Sequence, residues 1–186
     1  RVALHQQRIE GLEASLTFLE QAESLAHLDE LRAELDADER SGAPRKASAR
    51  AQGVPQPLEL ASPSGLRLQV GRNHRQNDWI SLKQARRGDL WFHAQECPGS
   101  HVVLKASEGP AAEADLNAAA DLAAHFSRAR GNARVPVLMV PVEQLQRLPG
   151  AGPGTVRHRG GTVRWGEPAR VAMPLAAPNV AGSARP

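Results

Sequence analysis

A chain of 186 residues with one Cys, no Tyr and only three Phe and three Trp has room for one ordinary domain plus an appendage, and must build its core from Leu, Val and Ala. The lone Cys97 rules out an internal disulfide framework and fits a reducing compartment, while the lack of a bilayer-length apolar run or a cleavable leader points to a cytoplasmic protein without membrane attachment. The net charge of +3 hides a division: residues 1–40 carry four Arg against ten acids, a net of −6, and residues 41–186 carry nineteen Lys and Arg against ten acids, a net of +9.

Two parts of opposite sign are expected to face different partners, and the basic part suits a polyanion. Solvated surface arginines explain the same charge without any partner. The chain does not begin with Met, which suggests a piece of something longer.

Residues 1–40 read as one helix. Ile9, Leu12, Leu16 and Leu19 recur at spacings of three and four, and Leu25, Leu28, Leu31 and Leu35 continue the stripe with a slip in phase. A lone amphipathic helix cannot bury its own stripe. It is therefore either one limb of a coiled-coil arm or a helix docked on the basic domain. Residues 41–57, SGAPRKASARAQGVPQP, have linker composition.

Residues 58–170 form the basic domain. Leu58 to Leu60 and Leu66 to Val70 flank the turn signal Ser62-Pro63-Ser64-Gly65 as a hairpin. Asp78 or Asn77 is the expected N-cap of a short helix from Trp79 to Ala85. Leu90 to Ala94 and Ser100 to Leu104 flank Pro98-Gly99 as a second hairpin, and residues 111–130 form an Ala-rich helix. Val135 to Val140 reads as a buried strand, Val142 to Leu148 as a short helix, and Thr155 to His158 with Thr162 to Trp165 as a third hairpin about Arg159-Gly160-Gly161. Hairpins outnumber βαβ alternation, so the expected fold is α+β with a largely antiparallel sheet and packed helices, preceded by the long helix. Residues 171–186 are a loose Ala- and Pro-rich tail.

Between two of these strands lies VGRNHRQNDW, residues 70–79, far more polar than a connection requires. Arg72 and Arg75 would stand over a helix start whose N–H groups favour an anion, and Lys83, Arg86 and Arg87 close its far end. In this reading Asn73, Gln76, Asn77 and Asp78 shape the loop while the arginines face outward; the same amides can equally satisfy one another and the backbone. A second cluster comprises Trp91, His93, Cys97, Ser100 and His101. Its spacing does not match a zinc site, and a hairpin tip beside Pro98 gives a thiol neither a base nor a lowered pKa. Trp91 is either a base-stacking platform or core. No phosphate-cradling loop, nucleophile elbow or H-E-x-x-H is present, so an enzyme and a cofactor are not expected.

Val70-Gly71-Arg72-Asn73 with Gln76-Asn77-Asp78, then Asp89-Leu90-Trp91-Phe92-His93, Pro98-Gly99-Ser100-His101-Val102-Val103-Leu104, Ala118 to Arg130 with Val135-Pro136-Val137, and Pro153-Gly154 with Val156 together resemble the NFACT-R domain. The acidic helix is similar to the second limb of that family's coiled-coil arm. NFACT proteins include the bacterial fibronectin-binding protein A homologues, which act as nascent-chain elongation factors in ribosome quality control and rescue of stalled ribosomes. The resemblance implies an RNA-binding module that engages tRNA and the obstructed large ribosomal subunit carrying peptidyl-tRNA. It also implies support for untemplated C-terminal alanine tailing, with peptide transfer done by the ribosome. The alternative is a protein-interaction or adhesin module that binds fibronectin or another protein, with incidental basic charge. From charge and position, the RNA-contacting residues are expected among Arg72, Asn73, Arg75, Gln76, Asn77, Asp78, Lys83, Arg86, Arg87, Trp91, His93, Ser100 and His101.

Overall fold

The computed structural model of the protein describes residues 2–39 and 53–171. Most of the expected linker and the tail from residue 172 onward lie outside the described residues.

Residues 2–39 form two helices rather than one. α1 (Val2–Glu20) ends before Gln21, and α2 (Leu25–Glu39) begins beyond Ser24. The interruption has a local cause: the Ser24 hydroxyl accepts a hydrogen bond from His27 N at 3.2 Å, the capping arrangement that starts α2. It also has a tertiary one, since Gln21 Nε2 donates to Ser127 O in the basic domain at 3.1 Å. The apolar stripe is accordingly split. Phe18 and Leu31 are buried, whereas Ile9, Leu12 and Leu16 on α1 are half or more exposed.

The domain is a six-stranded sheet, β1 (Leu58–Ala61), β2 (Arg67–Val70), β3 (Leu90–Ala94), β4 (Val102–Leu104), β5 (Val135–Pro141) and β8 (Thr162–Gly166), in the order β1-β2-β4-β3-β5-β8. Every neighbouring pair is antiparallel. The fold is thus α+β with an antiparallel sheet. α3 (His74–Asp78) continues into a π-helical turn over Trp79–Lys83, and α4 (Glu113–His125) is the long helix of the domain. β6 (Leu145–Arg147) and β7 (Val156–His158) make a separate two-stranded ribbon.

Alternation along the strands gives the sheet two differently covered faces. Leu68, Val70, Phe92, Val102, Leu104 and Val137 pack beneath Ala119, Ala120 and Ala123 of α4. Alanines along that helix let it lie close to the sheet; a Cβ on Gly166 would come within 2.3 Å of Ala120 O. On the opposite face Trp91, Val103 and Val140 pack against Ile80 of the π turn and Leu145 of β6. An Asp at the third position of α4 ties the layers together: the Asp115 carboxylate accepts from Ala112 N at 2.7 Å, and from Ser64 N at 2.9 Å and its hydroxyl in the β1–β2 turn. The Ser64 hydroxyl, with these backbone donors, holds that carboxyl far below the usual carboxylate range.

Three further sequence expectations are corrected. The short helix begins at His74, five residues before Trp79, because Asn73 and not Asn77 or Asp78 caps it: its side chain accepts from Gln76 N at 2.7 Å. The expected helix from Val142 to Leu148 is a single 3₁₀ turn, Val142–Gln144, followed by β6. The expected third hairpin is not one: β7 pairs with β6, and β8 pairs with β5.

Candidate nucleic-acid interface

The polar loop that opens α3 is held from within and covered from without. Gly71 lets Asn77 approach so closely that a Cβ there would lie 2.1 Å from Asn77 Oδ1. That oxygen accepts from His101 N at 3.0 Å, and Gly71 N donates to His101 O at 3.0 Å, which joins the loop to the start of β4. Gln76 Oε1 accepts from Arg72 N at 3.0 Å. Asn73, Gln76 and Asn77 are buried, and their amides shape the loop.

The helical hairpin supplies the cover. Glu34 of α2 accepts from His74 N at 3.1 Å and from Arg75 N at 2.7 Å, so a side-chain carboxylate fills the anion-favouring start of α3. Burial pushes the Glu34 carboxyl up, against the pull of His74 and the two N–H donors. Glu30 accepts from Gln76 Nε2 at 3.1 Å, and His27 Nε2 pairs with Arg72 O at 3.1 Å. His74 Nε2 reaches Ser15 Oγ at 3.0 Å, and its ring meets Phe18 edge-on. Arg72 and Arg75 are half-buried beside an acidic helix, and the Arg75 guanidinium donates to Gly53 O at 2.5 Å. Asp78 is paired with Arg147 of β6 and accepts from Gly154 N at 3.3 Å.

The remaining cations of the set are placed differently. Lys83, Arg86 and Arg87 are exposed at the end of the π turn, and among the described residues they have no carboxylate partner. The turn that presents them is anchored from below. Asp89 Oδ2 accepts from Arg86 N at 2.8 Å and from the buried Lys105 ammonium.

The second sequence cluster separates onto two faces. Trp91, His93 and His101 form a packed aromatic group: the His93 ring stacks on Trp91 at 5.5 Å, and His101 meets both edge-on at 5.1 and 5.3 Å. The Ser81 hydroxyl lies 2.8 Å from His101 Nδ1. Burial, with the nearby His158, lowers the His93 pKa to about 4, and burial, with His93 and His74, pushes that of His101 well below the ordinary range. Both rings are neutral near pH 7, and Trp91 and Ser100 are buried. This group is a core with polar members. Cys97 packs instead against the core on the α4 side.

Sequence reasoning passed over Trp165. It is 53% exposed on edge strand β8, the one Phe or Trp so exposed among the described residues, with the Arg134 guanidinium 5.1 Å over its ring. The signal was present in the alternation Val163-Arg164-Trp165 at the end of a strand. Alternation does not say which face a neighbouring element covers.

Residues 60–160 match the family described as NFACT protein RNA binding domain. The chain is 40% identical over 150 residues to the Rqc2 homolog RqcH of Streptococcus suis (strain 05ZYH33), an alignment covering 80% of this chain and 26% of that protein. It is also 40% identical over 97 residues to the Rqc2 homolog RqcH of Bacillus subtilis (strain 168), covering 52% and 17%. The aligned part thus spans about a quarter or less of these curated relatives. The fold is similar to the structure of the C-terminal part of the fibronectin/fibrinogen-binding protein from Streptococcus suis, with a TM-score of 0.76 and 36% identity over 88% of this chain and 65% of that one. None of the helices among the described residues is long and apolar enough to cross a membrane.

Proposed function

The chain belongs to the NFACT family through its RNA-binding domain, and from that premise we propose that it is a non-catalytic, cytoplasmic RNA-binding module of a ribosome quality control factor. Its ligands are tRNA and the RNA of an obstructed large subunit carrying peptidyl-tRNA. The complete factor recruits tRNA there and supports alanine tailing of the stalled chain, and the ribosome performs peptide transfer. The observation that carries the reading is the exposed trio Lys83, Arg86 and Arg87, which have no carboxylate partner among the described residues. Cations left without partners on a rigid turn release counterions when they meet phosphates, which gives sequence-independent affinity. Half-buried Arg72, and Arg75 beside Glu34, contribute less than the exposed trio. Asn73, Gln76, Asn77, Trp91, Ser100 and His101 position the surface without touching RNA, and the acidic hairpin is the base of the coiled-coil arm.

The test is the salt dependence of tRNA affinity. Each phosphate contact contributes roughly 0.7 to 0.9 to the log-log slope. Reversing Lys83, Arg86 and Arg87 to Glu in a folded chain should therefore flatten the slope by about 2. An unchanged slope removes the trio from the interface. The adhesin reading rests on the name of the streptococcal structural neighbour; it requires a salt-insensitive complex with fibronectin that the triple reversal leaves intact.

A further inference from the structure

The face of the sheet opposite α4 is only partly covered. The π turn and the β6–β7 ribbon cover Trp91, Val103 and Val140. Beyond them, towards β8, the same face continues through His93, Leu138 and Val163, which are register partners across β3, β5 and β8, and then through Pro136 and Trp165. Val163 is 50% exposed and Trp165 53% exposed. Two adjacent outward positions of an edge strand thus present apolar area to water, and one of them is a flat indole.

The surroundings select the occupant. Residues 131–171, which build this face, contain six Arg and two Glu. Arg164 turns to the other side, where it pairs with Glu113 of α4, and Arg147 is taken by Asp78. Arg157 on the outer side of β7 and Arg159 just after it are exposed and have no carboxylate partner among the described residues, at the end of β8 away from Trp165. Arg134 lies over the indole and reaches Glu167 only at 3.9 Å. An amphipathic protein helix would cover the apolar strip but would leave a guanidinium stacked over an indole without use. A base with a phosphate on either side meets both: the ring stacks on the indole or the guanidinium plane, and the arginines take the backbone.

We propose that Trp165 and Arg134 form a stacking site for an unpaired RNA nucleotide, with Arg157 and Arg159 adding positive charge farther along the same strand of RNA. The inference rests on the RNA-binding reading and adds the class of RNA, single-stranded and selected by stacking rather than by base edges. The platform is separate from the trio Lys83, Arg86 and Arg87, so a tRNA engages one through its helical backbone and the other through an unstacked loop or end. Purines, with the larger face, are held more tightly than uracil.

The experiment measures binding of the chain to labelled oligo(A), oligo(U) and a blunt RNA duplex without unpaired bases, for the parent and for Trp165→Ala, Trp165→Phe and Arg134→Ala. The expected result is a loss of about 5- to 150-fold for oligo(A) in Trp165→Ala, substantial recovery in Trp165→Phe, a smaller loss for oligo(U), and no change for the duplex. Trp165 is exposed, and urea midpoints of the variants should match the parent. Parent-like oligo(A) binding in Trp165→Ala, with RNA binding otherwise intact, overturns the stacking site and leaves the RNA reading standing. Absence of RNA binding by the parent overturns both. A salt-insensitive fibronectin complex that Trp165→Ala abolishes assigns the face to protein instead.

Discussion

Lys105 follows the last residue of β4 with only 2% exposure, and its ammonium donates to the Asp89 carboxylate and to Gln84 O at 3.0 Å. Asp89 is fully buried and also accepts from Arg86 N at 2.8 Å and Ser107 N at 3.1 Å. Burial pushes its carboxyl up, but Lys105, Ser107 and the Arg86 N–H outweigh burial and hold it below the ordinary value. Lys105→Met keeps the aliphatic stem and removes the charge, leaving a buried carboxylate with backbone donors alone. Breaking one side of a buried pair costs about 3 to 5 kcal/mol, or roughly 6 to 20 °C in Tm for a chain of this size. Urea unfolding followed by tryptophan fluorescence measures it. Asp89→Asn/Lys105→Met should be less destabilised than the two single changes added together, by roughly 0.5 to 3 kcal/mol. Because the folded-state pKa of Asp89 is depressed, its contribution is complete above the unfolded value of about 3.9 and is lost as pH falls through the folded value. The gap between parent and Lys105→Met should therefore close in acid. A loss below about 1 kcal/mol, or strict additivity, refutes the claim that this pair anchors the basic turn.

His93 and His101 carry a second pH signature. Both pKa values are lowered by burial, so the folded protein resists protons that the unfolded chain binds, and stability should fall between about pH 6.5 and 4. The slope from these two groups is at most about 1.4 kcal/mol per pH unit each, and urea midpoints across that range that stay flat would exclude it. Glu34→Ala strips the acceptor from His74 N and Arg75 N; a cost of about 1 to 3 kcal/mol should appear as faster amide exchange at those two residues and faster proteolysis of α2, and unchanged exchange would mean that the hairpin docks by other contacts. Gly166→Ala places a Cβ 2.3 Å from Ala120 O and should cost about 1 to 3 kcal/mol through overpacking, read as a lowered urea midpoint; a parent-like midpoint would show that α4 can retreat.

The strands and α4 were legible because burial writes a period into the residues: Leu66, Leu68 and Val70 alternate, and Leu116, Ala120 and Ala123 recur on one helical face. Partners were not legible. Arg159-Gly160-Gly161 has the composition of a hairpin turn, yet the loop passes over β5, where a Cβ on Gly161 would meet Val140 Cγ2 at 2.8 Å and Met139 O at 3.0 Å. The close approach explains the glycine, and β7 and β8 go to different sheets. The break between α1 and α2 was also hidden, because the leucine stripe runs on through it; Ser24 is a cap signal that periodicity outvoted. In the candidate site, residue type gave the polarity of the 70–79 loop correctly but not its recipient. Acidic residues on a helix forty positions away occupy what composition alone assigns to a phosphate. Trp91 and Trp165 both sit on the same sheet face, but Trp91 lies on interior strand β3 beneath the π turn and the β6–β7 ribbon, while Trp165 lies on the uncovered edge strand β8.

The most direct test of the account is tRNA affinity measured by fluorescence anisotropy across a salt series, beside a DNA duplex of similar charge. The account predicts a steep salt slope and a preference for tRNA that persists as salt rises, because unpaired nucleotides add stacking to the phosphate contacts. Equal weak binding to both nucleic acids, or none, would contradict it.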